Sequence, residues 1–357
     1  MSERKGILGA GNWIVDHVKV IDSWPNQDTL ANILSEYRGT GGSPCNVLID
    51  LAKLGADFPL TGAGIIGQDE PGDWILEICK KIGVNTDAIR RQSDQPTSYT
   101  DVMTVASTGR RTFFHQRGAN SLFDGNSICL DASDARIFHL GYLLLLDRLD
   151  LPSAEFGTKA AELLQNASKL GFITSVDVVS EESERFAQVV LPALPFIDII
   201  FLNEFEAGQA ASLRIRRDEQ IDVPMLLKSA EALLRAGVRR WVVIHSPEGA
   251  LAASIEGWRH FQPSLKVPPN QIAGAVGAGD AFAAGLLLGY HNGRPMEDCL
   301  VYGVCAAAAS LRHPSTSGSV EHISACLALA KARSLPAYTA EREWKKCKLG
   351  IEIVTIQ

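Results

Sequence analysis

From Gly274 the chain reads Gly-Ala-Val-Gly-Ala-Gly-Asp280 and passes at once into an apolar stretch, Ala281 to Tyr290. This sets an amide-rich glycine turn and a carboxylate at the start of a helix. Glycines let the backbone approach a phosphate closely, and the first N–H groups of a helix have no internal partners. Such a corner holds developing negative charge, and Asp280 beside it can take the proton of an attacking hydroxyl. An anion cradle and a base that orients the nucleophile are what phosphoryl transfer requires. An acidic residue in the first turn also suits the helix dipole, so on this segment alone ordinary helix architecture is the favoured reading.

Competing motifs fail on their letters. A Walker A loop needs Gly-Lys before Ser or Thr, and the chain contains no Gly-Lys dipeptide. A dinucleotide fingerprint needs a third glycine, but Gly277 and Gly279 are followed by Phe282, and Gly9 and Gly11 by Ile14. A nucleophile elbow around Ser43 fails because Cys45 stands where its last glycine belongs.

Two further constellations remain. Asn12 and Asp16 precede Gly41-Gly42-Ser-Pro-Cys-Asn46, which leads into a helix. Paired glycines permit close backbone approach, and Asn and Asp grip vicinal hydroxyls through directional hydrogen bonds, which is sugar chemistry. A plain loop with a solvated Asp16 is the alternative. Asn203-Glu-Phe-Glu206 follows a strand and opens a helix. The spacing is that of a capping box. The same geometry offers Glu206 to a magnesium ion that keeps several waters, and the two readings are compatible.

The elements that must position these residues alternate. Ile7 to Leu8, Phe58 to Ile66, Ala135 to Leu140, Phe172 to Val176, Asp198 to Leu202 and Trp241 to His245 read as buried strands. Pro44 to Leu54, Gly72 to Ile82, Ser153 to Leu170, Ser183 to Leu191 and Pro224 to Ala236 read as helices between them. That order predicts an α/β fold: a three-layer sandwich with a mostly parallel central sheet covered by helices on both faces. Ligands then sit beyond the carboxyl ends of the strands, where Asp177 and Asn203 lie. Thr97 to Ala106 and Arg111 to Gln116 read as a hairpin around Ser107-Thr-Gly-Arg110. With segments near 15–38 they predict a small separate β-sheet, a lid. Residues 1–330 are expected to form one domain carrying this lid, and 331–357 a C-terminal extension, charged at Glu341 to Lys346 and strand-like at Ile351 to Ile356.

A net charge of −7 and 46% hydrophobic content describe a chain able to bury a large core and unsuited to nucleic acid or an anionic membrane. The seven cysteines (45, 79, 129, 299, 305, 326 and 347) are odd in number and contain no Cys-x-x-Cys pair, as expected of reduced thiols. With no signal core and no apolar window of the ~18 residues a span requires, a soluble cytoplasmic protein is expected.

In order over about residues 6–325, these segments resemble the PfkB or ribokinase-like carbohydrate kinase family. Gly9-Ala-Gly-Asn-Trp-Ile-Val-Asp16 is similar to the family's early strand with its sugar-binding carboxylate, and Gly41, Gly42 and Asn46 match its double-glycine motif. Gly67-Gln-Asp-Glu-Pro-Gly72, the lid segment Arg110 to Asn120, Asn203-x-x-Glu206 and Gly277-Ala-Gly-Asp280 follow. The resemblance implies a ribokinase-like fold and transfer of the γ-phosphate of ATP to a hydroxyl of a sugar or sugar acid. It implies Asp280 as base, with the amides of Gly277, Ala278 and Gly279 as anion hole. It implies Asn12, Asp16, Gly41, Gly42 and Asn46 as sugar ligands, and Asn203, Glu206, His245 and Gly249 on the ATP side, Glu206 reaching Mg2+ through water. His115 and Arg117 in the lid either read a carboxylate or phosphate on the substrate or are solvated edge charges. A nucleoside kinase and a non-catalytic sugar-binding homologue are the alternatives. A homodimer through the lid sheet would cover its exposed edge.

Three departures from the family pattern stand out. Gly274 and Ala275 replace Asp-Thr, removing a carboxylate and a hydroxyl that help bind a monovalent cation, which speaks against potassium activation. Asp177-Val-Val-Ser-Glu181 replaces Asp-x-Asn-x-Arg, losing an amide and a cation. His245-Ser-Pro-Glu-Gly249 carries Ser246 in place of a glycine.

Overall fold

The computed structural model describes residues 4–217 and 220–331 and the backbone of Glu352 and Ile353. The first half runs β1 (Ile7–Gly11), β2 (Ile14–Ile21), β3 (Ile33–Gly41), α1 (Ser43–Leu54), β4 (Leu60–Gly67), α2 (Glu70–Lys81), β5 (Asn85–Gln92), β6 (Ser98–Val105), β7 (Arg111–Gln116) and β8 (Ile137–Leu143). There follow β9 (Pro152–Ser153), β10 (Gly157–Thr158), α3 (Lys159–Lys169), β11 (Ile173–Val178), α4 (Arg185–Ala193), β12 (Ile199–Asn203) and α5 (Glu204–Ala211). The chain continues with β13 (Arg216–Arg217), β14 (Gln220–Ile221), α6 (Val223–Arg235), β15 (Trp241–Ser246), β16 (Gly249–Ser254) and β17 (Arg259–Pro263). Last come α7 (Ala278–His291), α8 (Met296–Ser310), α9 (Ile323–Lys331) and β18 (Glu352–Ile353).

Ten strands form the central sheet in the order β18-β17-β16-β15-β12-β11-β8-β1-β4-β5. From β15 to β5 every pairing is parallel, and β16 runs antiparallel to its neighbours on both sides. The alternation of side chains along each strand sends Leu8, Phe138, Ile200 and Val242 to one face, against α3 to α6. Ile7, Ile137, Ile199 and Val243 go to the other, against α1, α2, α7, α8 and α9. The result is the three-layer sandwich expected from the alternating elements. Chain order leaves β1 in two directions, through β4 to β5 and through β8 to β11, so the sheet's switch point lies at the carboxyl ends of β1 and β8.

α7 is buried on nearly all sides and lies close against α8. Glycine permits that approach: a Cβ on Gly285 would stand 2.5 Å from the Tyr302 carbonyl oxygen, and one on Gly303 would stand 2.7 Å from the Phe282 ring. The first turn of α7 is thereby fixed in depth and direction.

A second sheet of four strands, β3-β2-β6-β7, is the expected lid. Val18 and Val102 on its inner face meet Val276 in the glycine-rich loop, all three buried, so the lid sits down on that loop. The reading of a helix from Ser153 is corrected at its start: Pro152–Ser153 and Gly157–Thr158 pair as a short hairpin, and α3 begins at Lys159, where the Thr158 hydroxyl caps the amide of Ala161 at 3.1 Å. Of the expected C-terminal extension, Lys331 closes α9 and Glu352–Ile353 pairs with β17. The rest of it lies outside the described residues.

Candidate active site

Asp280 is the third residue of α7, whose N-cap Gly277 adopts φ 75°. A side chain there would be strained and would meet Thr316, since a Cβ on Gly277 stands 2.7 Å from the Thr316 Cβ. The Ala278 amide makes only a long contact, 3.4 Å, to the Ala275 carbonyl. The start of α7 thus presents half-buried amides beside a carboxylate that is 4% exposed.

Asp280 is held from two sides. Asn46 Nδ2, in the second turn of α1, donates to Oδ2 at 2.7 Å, and the Tyr142 hydroxyl donates to Oδ1 at 2.8 Å. Asn46 is itself fixed by the Thr40 hydroxyl at 2.9 Å, and the Thr316 hydroxyl donates to the Thr40 carbonyl at 2.6 Å. Burial lifts the Asp280 carboxyl to about 6, and the hydrogen bonds from Asn46 and Tyr142 oppose that rise.

Asp16, 7% exposed, projects from β2 towards the double-glycine turn: a Cβ on Gly41 would lie 2.5 Å from its Oδ1. Gly42 has φ 88°, and a Cβ there would fall 2.2 Å from the Asn12 carbonyl. Gly42 is therefore required by space and by backbone conformation, and a side chain at Gly41 would displace the Asp16 carboxyl. Burial and then the charge of Asp280 raise Asp16 to about 8. Asn12 is fully buried and bonds backbone only, donating to the Leu145 carbonyl at 3.2 Å and accepting from the Tyr142 amide. Its side chain clamps the segment that carries Tyr142.

Beyond the switch point, Asp177 ends β11 and accepts from the Ser43 hydroxyl and the Val178 amide, each at 2.9 Å. Ser43 also bonds His139 Nε2 at 2.9 Å, and His139 Nδ1 meets the Ser175 hydroxyl at 2.9 Å. Burial, then Asp280 and Glu206, push Asp177 well above the carboxylate range.

At the β12–α5 junction the capping box is present: Asn203 Oδ1 accepts the Glu206 amide at 2.9 Å, and Glu206 Oε2 accepts the Asn203 amide at 2.8 Å. Glu206 Oε1 further accepts Ser180 Oγ at 2.6 Å and Asn203 Nδ2 at 2.8 Å. Burial raises Glu206 to about 7 against these donors. Ser180, immediately before Glu181 in the departed motif, thus completes this network.

The ATP-side residues separate. His245 lies against α7, with its Cε1 3.2 Å from where a Cβ on Gly279 would be, and burial lowers it to about 4. Gly249 is buried in the sheet against Phe261. Ser246 Oγ donates to the Gly249 carbonyl at 3.1 Å, closing the β15–β16 hairpin that a glycine would have closed by its conformation. Arg117 Nη1 donates to the Leu144 carbonyl at 3.2 Å and pairs with Asp147 at 3.0 Å. A surface hollow of about 930 Å3 beside α3, lined by Arg90, Cys129, Arg148 and Lys169 among others, contains none of these groups.

Asn46, Tyr142, Asp16 and Asp280 therefore converge, with Asp177 and Glu206 flanking them. Tyr142 was not singled out from the sequence; its place at the carboxyl end of a strand was the one available signal. Among the described residues no three His, Cys, Asp or Glu side chains converge as direct metal ligands. Glu206 raises the proton affinity of Asp177, and both accept only from hydroxyls and amides in these contacts, a donor set that fits a hydrated divalent cation shared with phosphate oxygens rather than a closed cage.

The profile of pfkB family carbohydrate kinases matches residues 12–323. The ribokinase of Schizosaccharomyces pombe is 26% identical over 296 residues, 79% of this chain and 83% of that protein. A nucleoside kinase of Methanothermobacter thermautotrophicus is 22% identical over 320 residues, 90% of this chain and 94% of the other. The structure of ribokinase from Giardia lamblia superposes with a TM-score of 0.76 at 17% identity, covering 91% of this chain and 99% of that one, a likeness of fold.

Asp16 has an unfolded value near 3.8 and a folded value near 8, so the folded state loses stability as pH rises between them, and nothing below. Asp16→Asn removes that loss. Thermal melts are expected to show the variant and the parent alike near pH 4 and the variant gaining steadily up to pH 8; a gain that shrinks with rising pH would contradict the burial of an acid here.

Proposed function

Because the chain belongs to the pfkB family carbohydrate kinases over residues 12–323, we propose that it transfers the γ-phosphate of ATP to a hydroxyl of a small sugar, free or as the ribose of a nucleoside. The observation that carries this reading is the buried Asp280 carboxylate, aimed by Asn46 and Tyr142 beside the amides of Gly277, Ala278 and Gly279.

In this mechanism Asp16 and Asn46 orient the acceptor, with Gly41 and Gly42 giving it room at the backbone. The acceptor oxygen attacks the γ-phosphorus, its proton passes to Asp280, and the bond from phosphorus to the bridging oxygen of ADP breaks. The α7 amides receive the charge that spreads over the phosphoryl oxygens. Asn203 and Glu206 organise the nucleotide, and Glu206, with Asp177 near it, would hold Mg2+ through water. The ion supplies charge neutralisation between phosphates. Asp280 at about 6 is a base matched to neutral pH. The lid contact of Val18 and Val102 with Val276 keeps water, a competing acceptor, from the phosphate.

A monovalent cation has no place in this reading. A Cβ on Gly274 would stand 2.9 Å from Pro314 Cα, so the carboxylate of relatives has no room. The lid supports a homodimer: Tyr37, Val18, Val102 and Phe113 form one cross-strand row whose centre is buried and whose ends, Tyr37 and Phe113, are 38% and 56% exposed. A second lid would cover them.

ADP release screened over sugars, sugar acids and nucleosides should find an acceptor, and Asp280→Asn should lower its turnover by at least about 10² to 10⁴ with little change in ATP affinity. Near-normal turnover in that variant would remove Asp280 from the mechanism. Replacing potassium by tetramethylammonium should change the rate by less than about twofold, whereas strong activation would require a cation site elsewhere. Light scattering should give twice the 38.6 kDa chain mass, and Phe113→Glu should return a monomer; a monomeric parent refutes the lid pairing.

A further inference from the structure

The lid strands put one row of polar side chains against the acceptor end of the cleft. Asp16 on β2 pairs with Thr100 on β6, and Thr100 pairs with His115 on β7, so the three share the inner face. His115 Nδ1 lies 3.0 Å from the Thr100 hydroxyl. Its Nε2 is buried and has no hydrogen-bond partner. A buried ring nitrogen without a partner beside the residues assigned to an acceptor is a vacant recognition atom.

The chemistry of its partner follows from proton counting. The Thr100 hydroxyl, beside Asp16 on the same row, can receive the Nδ1 proton of His115 through its oxygen. The ring also bonds the Tyr99 carbonyl, which can only accept, and since Nε2 has no partner that bond too belongs to the Nδ1 side. Nε2 then keeps its lone pair. Burial, then the charge of Arg117, hold His115 at about 4, so the ring is neutral at physiological pH. Of the lid cations among the described residues, Arg117 spends its Nη1 on Asp147 and the Leu144 carbonyl, and Arg111 lies four residues along β7, roughly 13 Å away.

Resting on the kinase reading above, we propose that His115 is a specificity-determining residue whose Nε2 accepts a hydrogen bond from a hydroxyl of an uncharged sugar ring, selecting it over sugar acids and sugar phosphates. Asp16 and His115 then grip the acceptor from one row of the lid.

The test measures acceptor binding by calorimetry alongside turnover, for the parent, His115→Leu and His115→Gln, whose amide oxygen restores an acceptor. His115→Leu should weaken the acceptor by at least about tenfold in KM and in Kd with a smaller change in kcat, and His115→Gln should recover most of it. The penalty should vanish for the one deoxy analogue that lacks the hydroxyl read by Nε2. Unchanged KM in His115→Leu, a penalty that persists for every deoxy analogue, or a parent that prefers acids or phosphates overturns the assignment while Asp280-dependent turnover leaves the kinase reading standing. Sugar binding that weakens in His115→Leu without any turnover in the parent keeps the assignment and refutes the kinase reading. Neither binding nor turnover with any neutral sugar refutes both.

Discussion

The hydrogen bond from Asn46 to Asp280 joins the starts of two helices, and the rest of the cleft depends on that meeting. It requires α1 to begin after Gly42, where a side chain would strike the Asn12 backbone, and α7 to begin at a left-handed Gly277 seated on Thr316. It also requires α7 to be held at depth by its glycine-mediated approach to α8. A carboxylate so placed is desolvated, and desolvation rather than any neighbouring charge is what raises its affinity for a proton. Basicity at this site is therefore a property of packing.

Much of this was legible in the sequence because it is local. The buried strands announce themselves as short apolar runs, and α1, α2 and α6 carry their caps or their proline at the first turns. The capping box of Asn203 and Glu206 and the turn from Gly277 to Asp280 are each contiguous in the chain, so their spacing could be read. What stayed hidden is what distant segments build together. Thr316 and Thr40 are 276 positions apart, and no periodicity links Ser43, His139 and Ser175. Tyr142 reaches Asp280 only because Asn12 clamps the backbone beside it. The partners of Arg117 were illegible for the same reason, since Asp147 and the Leu144 carbonyl lie beyond any local pattern.

The departures from the family pattern make physical sense one at a time. Ser180 supplies to Glu206 a short hydroxyl bond where an amide was expected, and Arg185, one turn past Glu181, holds Glu181 and Asp150 together. Ser246 closes its hairpin with a side-chain hydrogen bond. Gly274 lies against Pro314 where a larger residue would collide. Two of the three are thus met by side-chain contacts of their own, and the third by close packing.

The small apolar contact of Val18, Val102 and Val276 has a consequence for proton traffic. While those three side chains touch, the acids beneath are shielded from solvent and hold protons tightly. When the contact parts, bulk water reaches them and their grip relaxes towards that of an ordinary carboxylic acid. The proton affinity of those acids is thereby tied to the covering of the cleft, because the desolvation that raises it is lost wherever water enters.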